Sequence, residues 1–121
     1  MEALVKAYRK NPVGAHYGLG DWLLQRLTAV VMALFTLAML ACLVIDAPHS
    51  YGDWKAMFSG TLIRLVTTLF FASLLYHAWV GMRDILMDYL HATSVRLTAQ
   101  AVVGFALIFY AVWAVSILWG H

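Results

Sequence analysis

One ionisable side chain, His77, lies inside an otherwise apolar stretch of this sequence, and its type makes it the best candidate for chemistry. It follows Arg64 by 13 residues, which is about 20 Å along a helix. A neutral imidazole in apolar surroundings needs a partner for each ring nitrogen, and a hydroxyl group, a water chain or an iron ion can serve. A packing hydrogen bond, a proton relay and haem ligation are therefore all open for His77.

The neighbours of His77 favour a flat cofactor. Ser73 and Gly81 lie one helical turn to either side on the same face, and such small side chains leave space for a macrocycle. Asp84 and Asp88 fall within about 20° of this stripe. The remaining histidines lie outside or at the ends of the apolar runs: His16, His49, His91 and His121. A haem with two imidazole ligands would therefore take its second ligand from another chain.

The elements that must position these residues are three long apolar runs. The chain has 121 residues and 13.5 kDa, of which 64% are hydrophobic and 12% charged, with a mean hydropathy of +0.80. These proportions exclude a soluble globular domain and a disordered chain. The runs predict three transmembrane helices at about 22–45, 61–90 and 95–119, within one membrane-anchor domain covering 1–121. The predicted fold class is an all-α integral membrane protein.

The distribution of charge predicts the orientation of the chain. Six basic residues lie before the first span or beside the second connection: Lys6, Arg9, Lys10, Arg26, Arg83 and Arg96. Only two lie in the first connection, Lys55 and Arg64. The positive-inside rule then places the N-terminus in the cytoplasm and the C-terminus outside. A net charge of +2 without a basic cluster argues against nucleic acid as a partner. The single cysteine, Cys42, excludes an internal disulfide and a cysteine-based metal site.

Two segments carry a family resemblance. HAWVGMRDILMDY at 77–89, DWLLQRLTA at 21–29 and a third span ending in Trp119 and Gly120 resemble the small hydrophobic membrane-anchor subunit of bacterial succinate dehydrogenase, or respiratory complex II. The resemblance covers about residues 17–120 in order. It implies a helical bundle with a companion membrane-anchor subunit, and attachment of the iron–sulfur and flavoprotein subunits at the bacterial inner membrane.

The resemblance also implies roles for individual residues. The His that opens the HAWVGM pattern is an axial ligand of haem b in such relatives, which falls on His77, and the companion anchor supplies the other ligand. The closing Asp-Tyr pair belongs to the quinone pocket, which falls on Asp88 and Tyr89, the tyrosine hydroxyl bonding a quinone carbonyl. Arg26 falls near the haem propionates or the quinone cavity. Where many relatives carry a histidine, this sequence has Gly20, which puts a propionate contact from that position in doubt.

The implied function is electron transfer from succinate to ubiquinone in the respiratory chain and the citric acid cycle. The chain has no flavin or iron–sulfur motif, so the family resemblance implies a non-dehydrogenating subunit that anchors its partners, ligates haem b and binds ubiquinone. Three alternatives remain open on the residues alone: a proton-relay or transport subunit without haem, a purely structural anchor, and a fumarate reductase that runs in the opposite direction.

Overall fold

The structure is a computed structural model that describes residue 2 and residues 13–120, with the side chains of residues 13–18 left out of the description. Lys6, Arg9 and Lys10 lie outside the described residues, as does the side chain of His16. The predicted orientation depends on those three cations, so it stays a prediction.

Four helices make up the described chain: α1 (Val13–Ile45), α2 (Tyr51–Met57), α3 (Thr61–Tyr89) and α4 (Thr93–Trp119). Three of them, over Leu19–Ile45, Thr61–Tyr89 and Thr93–Trp119, are long and apolar enough to cross a membrane. The all-α class and the three spans predicted from the apolar runs are therefore confirmed. The 33 residues of α1 extend for about 50 Å, which exceeds the ~30 Å of a bilayer core, so one end of α1 projects beyond it.

The short helix α2 was not predicted, because the first connection is rich in turn residues. Its N-terminus has a capping box: the Asp53 backbone N–H donates to Ser50 Oγ at 3.2 Å, and the Ser50 backbone N–H donates to Asp53 Oδ2 at 3.0 Å. The His49 backbone N–H donates to the same carboxylate oxygen at 3.0 Å. These bonds satisfy N–H groups that the first turn of a helix otherwise leaves free.

The central helix of the bundle is α3, which packs against α1 on one side and α4 on the other. Phe35 of α1 stacks on Phe70 of α3 with ring centroids 4.4 Å apart. On the other side, Trp79 lies against Gly104 of α4, where a Cβ would come within 3.6 Å of the indole ring. The glycine allows close approach of two helices, as is common in membrane bundles.

The bundle has almost no interior of its own. Within the described residues, the only buried side chains are Val80 and Thr67, each 3% exposed, and Ser73, 7% exposed. Large apolar side chains along α1 and α4 are instead mostly exposed. Exposing so many apolar side chains to water is unfavourable, so lipid or further protein chains must cover them.

Candidate functional site

The imidazole of His77 lies near the middle of α3 and faces α1. Its Nδ1 atom is 3.2 Å from the Thr28 hydroxyl oxygen of α1. Gln25, one turn before Thr28, donates from Nε2 to the backbone carbonyl oxygen of His77 at 3.4 Å. The side chain of His77 is half-buried. Two polar residues of α1 therefore fix both the ring of His77 and the height of α3 beside α1.

The Thr28 hydroxyl oxygen also lies 2.8 and 3.0 Å from the carbonyl oxygens of Leu24 and Gln25, which can accept its single hydrogen. When that hydrogen is donated along α1, the hydroxyl oxygen accepts from His77, which is the tautomer with the proton on Nδ1. None of the described residues makes a hydrogen bond with Nε2, and in this tautomer Nε2 keeps an available lone pair. This tautomer is the form of histidine that ligates a metal through Nε2.

The space beside His77 is open towards Gly81 and closed towards Ser73. A Cβ added at Gly81 would meet nothing within 4 Å, whereas Ser73 is buried. The clearance expected on both sides of His77 is therefore present on one side. The side-chain oxygen of Gln25, Oε1, is also buried and has no hydrogen-bond partner among the described residues.

A further polar contact joins α1 and α3 closer to the end of the bundle that carries Tyr89. Arg83 Nη2 lies 2.7 Å from Asp21 Oδ2 and 3.6 Å from Asp84 Oδ1, with the side chains of Arg83 and Asp21 31% and 40% exposed. Asp84 is exposed, as expected for a surface charge. Arg83 therefore ties the two helices together.

This ion pair predicts an asymmetric loss of thermal stability. In Arg83→Gln, Asp21 loses its only ionic partner among the described residues, whereas in Asp21→Asn the guanidinium keeps Asp84. We expect Arg83→Gln to lower the Tm of the purified complex more than Asp21→Asn, with a coupling of about 0.5–1 kcal/mol in the double-mutant cycle. Arg96→Gln, at a half-buried arginine that makes no described salt bridge, is the control. Additive losses from the two single variants would contradict the pairing.

Arg26 lies on α1 between Gln25 and Thr28 but does not face α3. Its side chain is exposed, and its guanidinium carbon lies 5.3 Å from the centre of the Trp22 ring. Within the described residues it makes no salt bridge. The structure therefore does not bring Arg26 into contact with His77, and its predicted role beside a propionate or quinone needs groups from outside this chain.

Asp88 and Tyr89 form the end of α3. Tyr89 is 78% exposed, and it follows His77 by 12 residues, or about 18 Å along the axis. Asp88 is also exposed, and no hydrogen bond between the two side chains occurs in the described structure. Both polar groups are therefore available to a partner outside this chain.

The sequence interpretation missed the residues of α1 that hold His77. Asp21, Gln25 and Thr28 follow the spacing i, i+4 and i+7, so they form one polar stripe along α1. This spacing was a usable signal, because polar groups inside a membrane span tend to face other helices. What it could not identify was which helix the stripe would contact.

The donor set suits a haem iron better than a bare metal ion. No group of three or more histidine, cysteine, aspartate or glutamate side chains that could hold a metal occurs among the described residues. A haem needs only axial ligands from protein, since the porphyrin supplies the other four. One imidazole with an available Nε2 and open space beside Gly81 meets this chain's half of such a site.

Comparison with known proteins gives a consistent result. The family model described as succinate dehydrogenase/fumarate reductase transmembrane subunit matches residues 7–113. A succinate dehydrogenase hydrophobic membrane anchor subunit of Coxiella burnetii is 35% identical over 102 residues, which cover 84% of this chain and 89% of the relative. Proteins of the same description from Rickettsia bellii and Rickettsia conorii are 32% and 29% identical, covering 78% and 83% of this chain and 74% and 79% of theirs.

Proposed function

The chain belongs to the family of succinate dehydrogenase/fumarate reductase transmembrane subunits as a multi-pass membrane anchor, and on this basis we propose that it ligates a shared haem b and forms part of a ubiquinone site. His77 would be one axial ligand of the haem iron. Tyr89 and Asp88 would contact the quinone. The reaction served by the assembly is transfer of electrons from succinate to ubiquinone, in the respiratory chain and the citric acid cycle.

The observation that carries the proposal is the hydrogen bond between His77 and Thr28. With the proton on Nδ1 and Thr28 as its acceptor, the lone pair of Nε2 would be available to iron, and the bond would hold the ring in that orientation. When bound, a haem would supply one-electron transfer. His77 would hold its iron, and Thr28 would set the direction of the imidazole.

The second axial ligand would come from the companion membrane-anchor subunit. His49 and His91 are exposed and lie at the ends of the spans, so neither can reach the depth of His77. The exposed apolar faces of α1 and α4 provide the surface that a companion bundle needs. Arg26, which is exposed beside Trp22, is then available to a haem propionate in the assembled bundle.

Exposure of Tyr89 supports its role in the quinone site. A phenol hydroxyl is neutral at pH 7 and can donate to a quinone carbonyl, while its ring contacts the apolar part of the molecule. Asp88 would relay protons or orient that hydroxyl once the quinone is bound. The iron–sulfur and flavoprotein subunits would dock at this end of α3, which the charge distribution predicts to lie at the cytoplasmic face of the bacterial inner membrane.

The proposal assigns dehydrogenation to the partner subunits. A proton-relay role would also use an imidazole inside the membrane, and a purely structural role would need only the bond to Thr28. Haem ligation is favoured by the open space beside Gly81, which a flat macrocycle needs and which neither alternative requires. Fumarate reduction remains a second candidate, because the matching family model covers transmembrane subunits of both enzymes.

The proposal is tested by the reduced-minus-oxidised spectrum of the purified complex and by its response to Thr28→Val. We expect a low-spin b-type haem in the unmodified complex. In Thr28→Val the imidazole loses an acceptor worth about 1 kcal/mol, so ferric iron is less stabilised and the reduction potential rises by up to about 40 mV. A potentiometric titration followed by absorbance measures this shift.

Two variants complete the Thr28 experiment. Thr28→Ser retains the hydroxyl and should keep the original potential, and Thr36→Val changes an exposed threonine of the same helix. A complex that contains no haem would refute the proposed function. A complex with normal haem whose potential is the same in Thr28→Val would instead refute only the role of Thr28.

A further inference from the structure

A cavity of about 470 Å³ lies at the end of the bundle opposite Tyr89, and the proposed electron-transfer function does not use it. It lies between α2 and the three long helices; we call it the end cavity. Its interior is apolar and aromatic, with Phe35, Phe70 and Phe71 on one side and Ile117 and Leu118 of α4 on the other. A volume and lining of this kind suit a long apolar molecule.

The mouth of the end cavity is basic. Lys55 of α2 and Arg64 of α3 both line it, and no aspartate or glutamate does so among the described residues. Arg64 Nε donates to the Phe58 carbonyl oxygen at 3.0 Å, and its guanidinium carbon lies 5.9 Å from the centre of the Trp119 ring. These contacts fix the Arg64 guanidinium, while neither cation forms a salt bridge within the described part of the chain. The mouth therefore suits an anionic group.

A buried hydroxyl lies one helical turn deeper than Arg64. Thr67 lines the same cavity and is only 3% exposed, and its Oγ1 atom has no hydrogen-bond partner among the described residues. A buried hydroxyl is seldom left unpaired, since it has given up its bonds to water. The three-residue separation places it about 4.5 Å along the axis from Arg64. An oxygen acceptor at that depth would satisfy Thr67.

We propose that the end cavity binds an anionic phospholipid. The phosphate would lie between Lys55 and Arg64, an ester carbonyl oxygen would accept a hydrogen bond from Thr67, and one acyl chain would fill the aromatic interior. This order of anion, ester and hydrocarbon along the axis is that of a glycerophospholipid. The two cations at the mouth distinguish it from a neutral quinone, and the exposed Tyr51 and Trp54 beside them are residue types that favour the membrane interface.

The test is a lipid titration of the purified, delipidated membrane complex containing this chain, followed by native mass spectrometry. The probes are dioleoylphosphatidylglycerol and dioleoylphosphatidylcholine. Each cation near an anionic headgroup contributes about fivefold to binding, so Lys55→Gln together with Arg64→Gln should weaken phosphatidylglycerol binding by about 25-fold. Phosphatidylcholine binding should stay nearly the same in this double variant.

A second pair of variants tests the apolar part without changing any charge. Ala114 of α4 lines the end cavity, so Ala114→Phe should fill the space of the acyl chain and remove tight binding of phosphatidylglycerol. Ala101→Phe makes the same change at an exposed position of α4 outside the cavity and should leave binding unchanged. These two variants decide the question if the charge variant fails to assemble.

Three results would overturn the lipid site. One is equal affinity for the two lipids in the unmodified complex, which would mean that Lys55 and Arg64 do not select an anionic headgroup. Another is displacement of phosphatidylglycerol by added ubiquinone, when the affinity for ubiquinone is the same in the double variant Lys55→Gln and Arg64→Gln. That result would assign the cavity to a neutral quinone. The third is unchanged phosphatidylglycerol binding in Ala114→Phe.

Discussion

Replacing His77 by leucine is expected to abolish the low-spin b-type haem spectrum of the complex. His77 is the only histidine inside a described span, and its Nε2 atom has no hydrogen bond from the described residues. Leucine is similar in size but offers no ligand to iron. We expect haem content to fall by more than about tenfold, or the remaining haem to become high-spin with one ligand. Absorbance and electron paramagnetic resonance of the purified complex measure both outcomes.

The control for this experiment is His91→Leu. His91 is exposed in the connection between α3 and α4, so its removal should leave the haem spectrum unchanged. Succinate-dependent reduction of an artificial dye reports whether the soluble subunits remain attached and active. An unchanged low-spin spectrum in His77→Leu would exclude His77 as a ligand, and the bond to Thr28 would then be a packing contact.

Tyr89→Phe should lower the rate of ubiquinone reduction about tenfold while dye reduction stays near the original rate. The substitution removes a hydroxyl group and keeps the ring, and one hydrogen bond to a quinone carbonyl is worth about 1–1.5 kcal/mol. Because Tyr89 is 78% exposed, loss of its hydroxyl leaves the packing of α3 intact. Parallel assays with ubiquinone and with the dye separate quinone binding from succinate oxidation.

A matched variant is Tyr110→Phe, which removes a hydroxyl from an exposed tyrosine of α4. It should leave both rates unchanged. If Tyr89→Phe lowers both rates equally, the residue contributes to assembly and not to the quinone site. If neither rate changes, the hydroxyl does not contact the quinone, and the assignment of Tyr89 is wrong.

The sequence was sufficient to predict the three long helices because few backbone conformations are stable in a membrane. Three long apolar runs must satisfy their own N–H and carbonyl groups in lipid, and only helices do this without a closed barrel. The same reasoning failed for α2, which lies in the connection. There the capping box of Ser50 and Asp53 creates a helix that hydropathy cannot detect.

The sequence also predicted the candidate site only in part. The depth of His77 and the position of Tyr89 at the end of α3 follow from counting residues along a helix. The contact between His77 and Thr28 joins positions 49 residues apart on different helices. Residue counting along one helix gives no information on the rotation or depth of its neighbour. Side-chain packing, including the stacked rings of Phe35 and Phe70, sets both.

The lengths of the apolar runs determined that this chain has three membrane-spanning helices with one histidine inside them, since hydrocarbon accepts apolar helices and few ionisable groups. The tertiary structure decided that His77 Nδ1 meets Thr28 of α1, that Arg83 pairs with Asp21, and that Lys55, Arg64 and Thr67 line one cavity. Those properties depend on distances between helices. In a bundle with so few buried residues, these distances follow from a few close contacts such as Trp79 against Gly104.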